Sequence, residues 1–245
     1  MNKPFEENLD KLRSRLIRMG SLVEEQIEFA MRALNEGNVE MARIVADRDD
    51  KVDKLDLKID KQCQRIFALN QPVASDLRLL LSAIKINNEL ERIGDMAAAI
   101  ANIVLASPKA VEIGKRVNIS KLSSGTHALL KSSVDSFINN DPELAAHIIP
   151  TDNKITETAK STQQDLIGVM QQSLEDVADG AQMLMVVHYL NRIADHATNI
   201  AENVIFLVRA KLVRHGSVNS EGVDLIDILN EEGQEDAEDS GENAG

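Results

Sequence analysis

Apolar stripes with a helical period run through most of this chain, and they leave it few folds. Leu9, Leu12, Leu16, Met19, Val23, Ile27, Ala30 and Leu34 recur at steps of three and four, the spacing that lines one face of an α-helix. Leu79, Ala83, Ile86, Leu90, Ile93, Ala97, Ile100 and Val104 repeat the pattern. Short polar stops separate the stripes: Asn35-Glu36-Gly37-Asn38, Asn70-Gln71-Pro72, Ser107-Pro108 and Asn139-Asn140-Asp141-Pro142. The pattern predicts six helices. The first ends near Leu34 and the second near Leu69, and the third runs from an N-cap at Ser75 to Ser107. The fourth covers 119–138, the fifth reaches Gln171 with a kink near Pro150, and the sixth runs from Asp176 to Val213. Helices of about 20–38 residues on short turns lie antiparallel, as in up-down bundles.

The second half replays the first. Leu90-Glu91-Arg92-Ile93-Gly94-Asp95-Met96-Ala97-Ala98-Ala99-Ile100-Ala101 matches Leu190-Asn191-Arg192-Ile193-Ala194-Asp195-His196-Ala197-Thr198-Asn199-Ile200-Ala201, with seven of twelve positions identical. Upstream, Asp49-Asp50-Lys51-Val52-Asp53 matches Asp152-Asn153-Lys154-Ile155-Thr156. Two matches in the same order indicate a duplication. The expected fold is all-α: two tandem antiparallel three-helix bundles, over residues 1–107 and 119–215, joined by a connecting loop at 108–118.

Residues 216–245 have a different character. Ten acids and no Lys or Arg follow Gly216, and removing those ten charges from the net −13 leaves −3 for residues 1–215. Such a segment buries too little apolar surface to fold and reads as a disordered acidic tail. The near-neutral body lacks the basic stripe that phosphate backbones require, which argues against direct nucleic-acid binding. A single cysteine, Cys63, excludes an intramolecular disulfide framework and reads as a small core residue. No uncharged run approaches the roughly 20 residues of a membrane span. Met1–Glu7 carries no apolar core of a secretory signal, so a cytoplasmic location is expected.

Chemistry, where the sequence offers any, lies in carboxylates. Asp49, Asp53, Asp56 and Asp60 share one face of the second helix, and Asn88, Glu91 and Asp95 share one face of the third. Exposed, such acids need no ligand, and Asp47–Lys51 and Asp50–Lys54 have salt-bridge spacing. Half-buried between helices, they must protonate, pair with a cationic side chain or bind a metal, as carboxylates do in di-iron bundles. The repeat singles out Asp49 with Asp152 and Asp95 with Asp195, either as ligands or as partners of Arg92 and Arg192. His188, Asn191 and Asp195 share a face, while His196 points about 100° away from Asp195. No phosphate-cradling loop, nucleophile elbow or Ser/His/Asp arrangement is present.

The segments Glu91-Arg92-Ile93-Gly94-Asp95 and Arg192-Ile193-Ala194-Asp195-His196-Ala197-Thr198-Asn199-Ile200-Ala201-Glu202, each after an Asp-bearing helix, resemble the PhoU family. So does the opening Phe5-Glu6-Glu7-Asn8-Leu9, and the resemblance reaches residue 213. It implies two three-helix bundles in a cytoplasmic homodimer without catalytic activity. It also implies a negative regulator of the phosphate-starvation regulon and modulator of phosphate uptake. The partners would be a sensor histidine kinase and components of the phosphate ABC transporter, with the membrane approached only through them. Iron or zinc on E/D-x-x-x-D motifs is implied as well. Carried over by position, the metal residues are Asp49, Asp53, Glu91 and Asp95 in the first repeat and Asp152 and Asp195 in the second. Asn191 and Thr156 stand where the second repeat should carry acids, so the first is the expected site. The alternative is a metal-dependent helical-bundle enzyme, a di-iron oxidase or phosphatase, using the first-repeat carboxylates. A third reading is a helical scaffold whose acids are solvated.

Overall fold

The computed structural model describes residues 3–213; the acidic segment 216–245 and His215 lie outside the described residues. Three long helices open the chain: α1 (Lys3–Glu36), α2 (Val39–Leu69) and α3 (Ala74–Ala106). Gly37, at φ 73°, ends α1 in the left-handed region that suits glycine, and Asn38 caps α2 by accepting from the Met41 N–H at 3.1 Å. The three helices pack on one another through the predicted stripes, and Leu12, Leu16, Met19, Ile27, Ile86 and Ile93 are fully buried. Contact between Gln62 and Asn8 at one end and Arg48 and Glu25 further along shows that α1 and α2 are antiparallel.

Two expectations about boundaries are corrected here. Residues 108–118 are not a connecting loop: Pro108–Arg116 form α4. Ser107 ends α3 and its hydroxyl accepts from the Ala110 N–H at 3.1 Å, while Pro108 occupies the first turn, where a missing N–H costs nothing. Ala110, Val111, Ile113 and Gly114 are buried, so the segment belongs to the core. At the start of α3, Ser75 is exposed, and the capping position falls on Val73, which offers no side-chain acceptor.

The second half contains α5 (Ile119–Asn139), α6 (Pro142–Ile148), α7 (Thr151–Gln172), a 3-10 turn (Leu174–Asp176) and α8 (Val177–Arg209). Near Pro150 the helix is interrupted as expected: Ile149 and Pro150 separate α6 from α7, although both keep right-handed helical angles. Asp141 caps α6, accepting from the Leu144 N–H at 2.8 Å. Ala210, at φ 58°, closes α8 before the expected Val213. Helices α5, α7 and α8 form the second bundle, with α6 against α5 and α8. The bundles share one hydrophobic core, because α3 packs along α8 and α1 packs against α5. No single described helix is long and apolar enough to cross a membrane.

Candidate metal centre

Asp49 and Asp53 lie one turn apart on α2, and α3 runs antiparallel beside them. Gly94 allows that approach: a Cβ there would stand 3.1 Å from Val52 Cγ1 and 3.5 Å from Gln26 Oε1. The next residue, Asp95, is thereby brought to α2, and one carboxylate oxygen each from Asp49, Asp53 and Asp95 lies within 4.8 Å of the others. Asp49 is half-buried, and its Oδ1 is buried with no hydrogen-bond partner. Asp53 and Asp95 face solvent.

The electrostatics follow from that crowding. Burial and the neighbouring charges of Asp95 and Asp53 push the Asp49 carboxyl above its ordinary 3.8, which the Gln26 amide only partly offsets. Burial and Asp53 push Asp95 upward. Glu91 lies outside the three-carboxylate group but senses it, raised by burial and by Asp95, Asp56 and Asp53. The rest of the α2 stripe is satisfied differently. Asn87 is buried and donates from Nδ2 to Asp56 Oδ1 at 2.6 Å and to Asp60 Oδ1 at 3.4 Å. The residue facing the stripe is therefore Asn87, whereas Asn88 is exposed.

Three carboxylates that converge, one of them carrying a buried oxygen without a hydrogen bond, fit a hard cation. Of iron and zinc, iron in its harder ferric form suits an all-oxygen set better. Replacing Gly94 by Leu tests how the centre is built. Overpacking against Val52 is expected to cost about 1–3 kcal/mol in a denaturant titration and to separate the α2 and α3 carboxylates, abolishing cation-dependent stabilisation.

The second repeat places its equivalents in other company. Thr156 Oγ1 donates to Asn191 Oδ1 at 3.2 Å, so the two residues that replace acids satisfy each other. Asp195 pairs with Arg192 at 3.2 Å, and Asp152 is buried. His188 is exposed, its ring centroid 6.0 Å from that of Tyr189. Among the expected salt bridges, Lys54–Asp50 forms at 3.5 Å. Cys63 is buried, its thiol pushed up to about 12 by burial and by Asp60.

One polar contact was not legible in either motif. His196 Nδ1 lies 2.5 Å from Glu89 Oε2, and Asn199 Nδ2 donates to the same oxygen at 3.1 Å. This node joins α3 to α8 across the two bundles. The equivalent positions in the repeat, Met96 and Tyr189, carry no such pair, so the duplication gives no hint of it. Gln26 is also buried among the apolar residues of α1; its place three residues after Val23 and next to Ile27, on the apolar face, is the sequence signal for it.

Fold and site together define a class: a duplicated helical-bundle protein with a carboxylate cluster between two helices of its first repeat. The PhoU domain profile matches residues 16–104 and 119–204, which span both repeats. The phosphate-specific transport system accessory protein PhoU homolog of Pseudomonas aeruginosa is 33% identical over 216 residues, covering 88% of this chain and 89% of that one. The homolog of Aquifex aeolicus is 34% identical over 220 residues, covering 90% and 99%. The crystal structure of PhoU from Pseudomonas aeruginosa superposes with a TM-score of 0.79 at 33% identity, covering 84% of this chain and all of that one. The phosphate transport system regulatory protein PhoU from Streptococcus pneumoniae gives 0.77 at 28% identity, covering 86% and 99%. The chain belongs to the PhoU family.

Proposed function

We propose that this protein is a negative regulator of the phosphate-starvation regulon and a modulator of phosphate uptake. It works as an adaptor between the phosphate ABC transporter and a sensor histidine kinase, through contacts rather than turnover. The observation that carries this reading is the match of both repeats to proteins named as accessory to phosphate-specific transport. The surface supports it: Leu77 and Leu81, one turn apart on α3, are exposed, as are Val73 at its cap and Leu69 at the end of α2, and such apolar side chains suit a protein partner. In this reading the protein is a cytoplasmic homodimer. A cation held by Asp49, Asp53 and Asp95, with Glu91 adjacent, fixes the α2–α3 spacing and so the shape of the first bundle.

Deleting the gene tests the regulatory role. In high phosphate, a reporter of the phosphate regulon is expected to become constitutively active and to be silenced again by the wild-type gene on a plasmid. Persistent repression in the deletion strain overturns the proposal.

A further inference from the structure

A cleft of about 420 Å³ lies between the N-terminal half of α1 and the C-terminal half of α2, lined by Lys11, Arg15, Lys58, Lys61 and Arg65 with Asn8 and Gln62. It is held open by side-chain contacts between the two helices. Arg15 Nη1 donates to Gln62 Oε1 at 2.7 Å, and Gln62 Nε2 donates to the Asn8 carbonyl at 2.8 Å. No carboxylate lines the cleft, and none of its five cations takes part in an ion pair among the described residues. Several cations elsewhere do have carboxylate partners. Arg48 pairs with Glu25, Lys131 with Glu24, Lys109 and Arg116 with Asp176, and Arg209 with Glu143. A second cleft, near Lys121, mixes that cation with Glu157 and Asp165. Five like charges around one concavity concentrate a positive field that an anion can relieve.

We infer that this cleft is the docking site of the chain's own acidic segment, residues 221–242. Charge complementarity is the first argument: ten acids and no Lys or Arg follow Gly216, against five cations gathered in one cleft without a carboxylate among its lining. Connectivity is the second. The end of α8 is tied to α6 through Arg209 and Glu143, and the turn before α6 is tied to α1 by Arg13 Nη2 donating to Asn140 Oδ1 at 3.0 Å. Arg13 lies two residues from both Lys11 and Arg15, so the described chain ends at the same level along α1 as the cleft, on the opposite face of that helix. From Val213 to the first acid, Glu221, an extended backbone reaches about 26 Å at about 3.3 Å per residue, more than the roughly 10–12 Å width of one helix. Exposed ion pairs are individually weak, but a tether of this length holds the segment at about millimolar local concentration.

The test uses the full chain carrying E232C. Cys63 is buried with its thiol near 12, so a nitroxide reagent labels the new cysteine alone. In low salt, amide resonances of residues 8–15 and 58–65 in the ¹⁵N-labelled protein are expected to lose at least twofold in intensity. The loss is reversed at about 1 M NaCl, where the screening length is about 3 Å. It is also absent from K58E/K61E, whose other resonances keep their positions. Loss on other helices, no loss, or loss that survives K58E/K61E overturns the inference. So does broadening of unlabelled ¹⁵N protein mixed with spin-labelled ¹⁴N protein, because the occupant is then a second copy.

Discussion

Adding Mn²⁺ to the metal-free protein at neutral pH is expected to raise its melting temperature by about 5–11 °C. A ligand at about a hundred times its dissociation constant stabilises the fold by about 2.7 kcal/mol, and each kcal/mol shifts a domain of this size by about 2–4 °C. The pH dependence has a definite sign. Asp49, Asp95 and Glu91 bind protons more tightly in the folded state than in the unfolded chain, where the ordinary values are 3.8 for Asp and 4.5 for Glu. The metal-free protein therefore loses stability as pH rises from those ordinary values through the raised ones, and stays at the lower level above them. A cation offsets that loss, so its effect is expected to vanish below about pH 4 and to reach a plateau near neutrality. The variant D95N separates this from nonspecific salt stabilisation. Losing a like charge, it is expected to melt at or above the wild-type temperature without metal and to gain nothing when Mn²⁺ is added. An equal gain in D95N, read by calorimetry, excludes the cluster as the binding site.

The second large effect lies at the junction of the bundles. Replacing His196 by Leu is expected to cost about 3 kcal/mol, because a mostly buried carboxylate loses its nearest partner and keeps only the Asn199 hydrogen bond and the Arg92 charge. The estimate takes the low end of that range because a fifth of the Glu89 side chain remains exposed. Removing both partners, as E89L/H196L, should recover most of the loss, since no unpaired carboxylate then remains. The pair also predicts an acid limit. Burial pushes the Glu89 carboxyl upward, but hydrogen bonds from His196 and Asn199 and the charges of His196 and Arg92 outweigh it and hold it below 4.5. The stabilisation is complete above that value and is lost as pH falls through the lowered one. Urea titrations of wild type and H196L should therefore converge as pH falls below about 4.5 and Glu89 is protonated in both. Parallel curves down to acid pH would show that the pair contributes nothing to the junction.

Much of the fold was legible because a buried helix face repeats every three or four residues whatever it packs against. The α1 and α3 stripes are of that kind, while the stop at Gly37 and the kink at Pro150 follow from the backbone limits of those two residue types. Helix α4 was not legible: Ser107-Pro108 reads equally as the end of one helix and the start of the next, and tertiary burial of Val111 and Ile113 selects the second. Ser75 was read as a cap from residue type alone, although capping depends on backbone angles that no residue type sets by itself.

What the sequence alone determined is which residues share a face of one helix, Asp49 with Asp53 and Glu91 with Asp95, and that Thr156 and Asn191 stand in place of acids in the repeat. It also determined that most of the net charge lies after Gly216. Only the tertiary structure decided which faces meet. Helical period sets directions around a single axis but not the rotation and offset between two axes, and those are set by close contacts such as Gly94 against Val52. That packing gathers Asp49, Asp53 and Asp95 while leaving Glu91 at the margin. Similar helix packing turns Thr156 toward Asn191 and His196 toward Glu89, making polar ties between helices that no single-helix pattern contains.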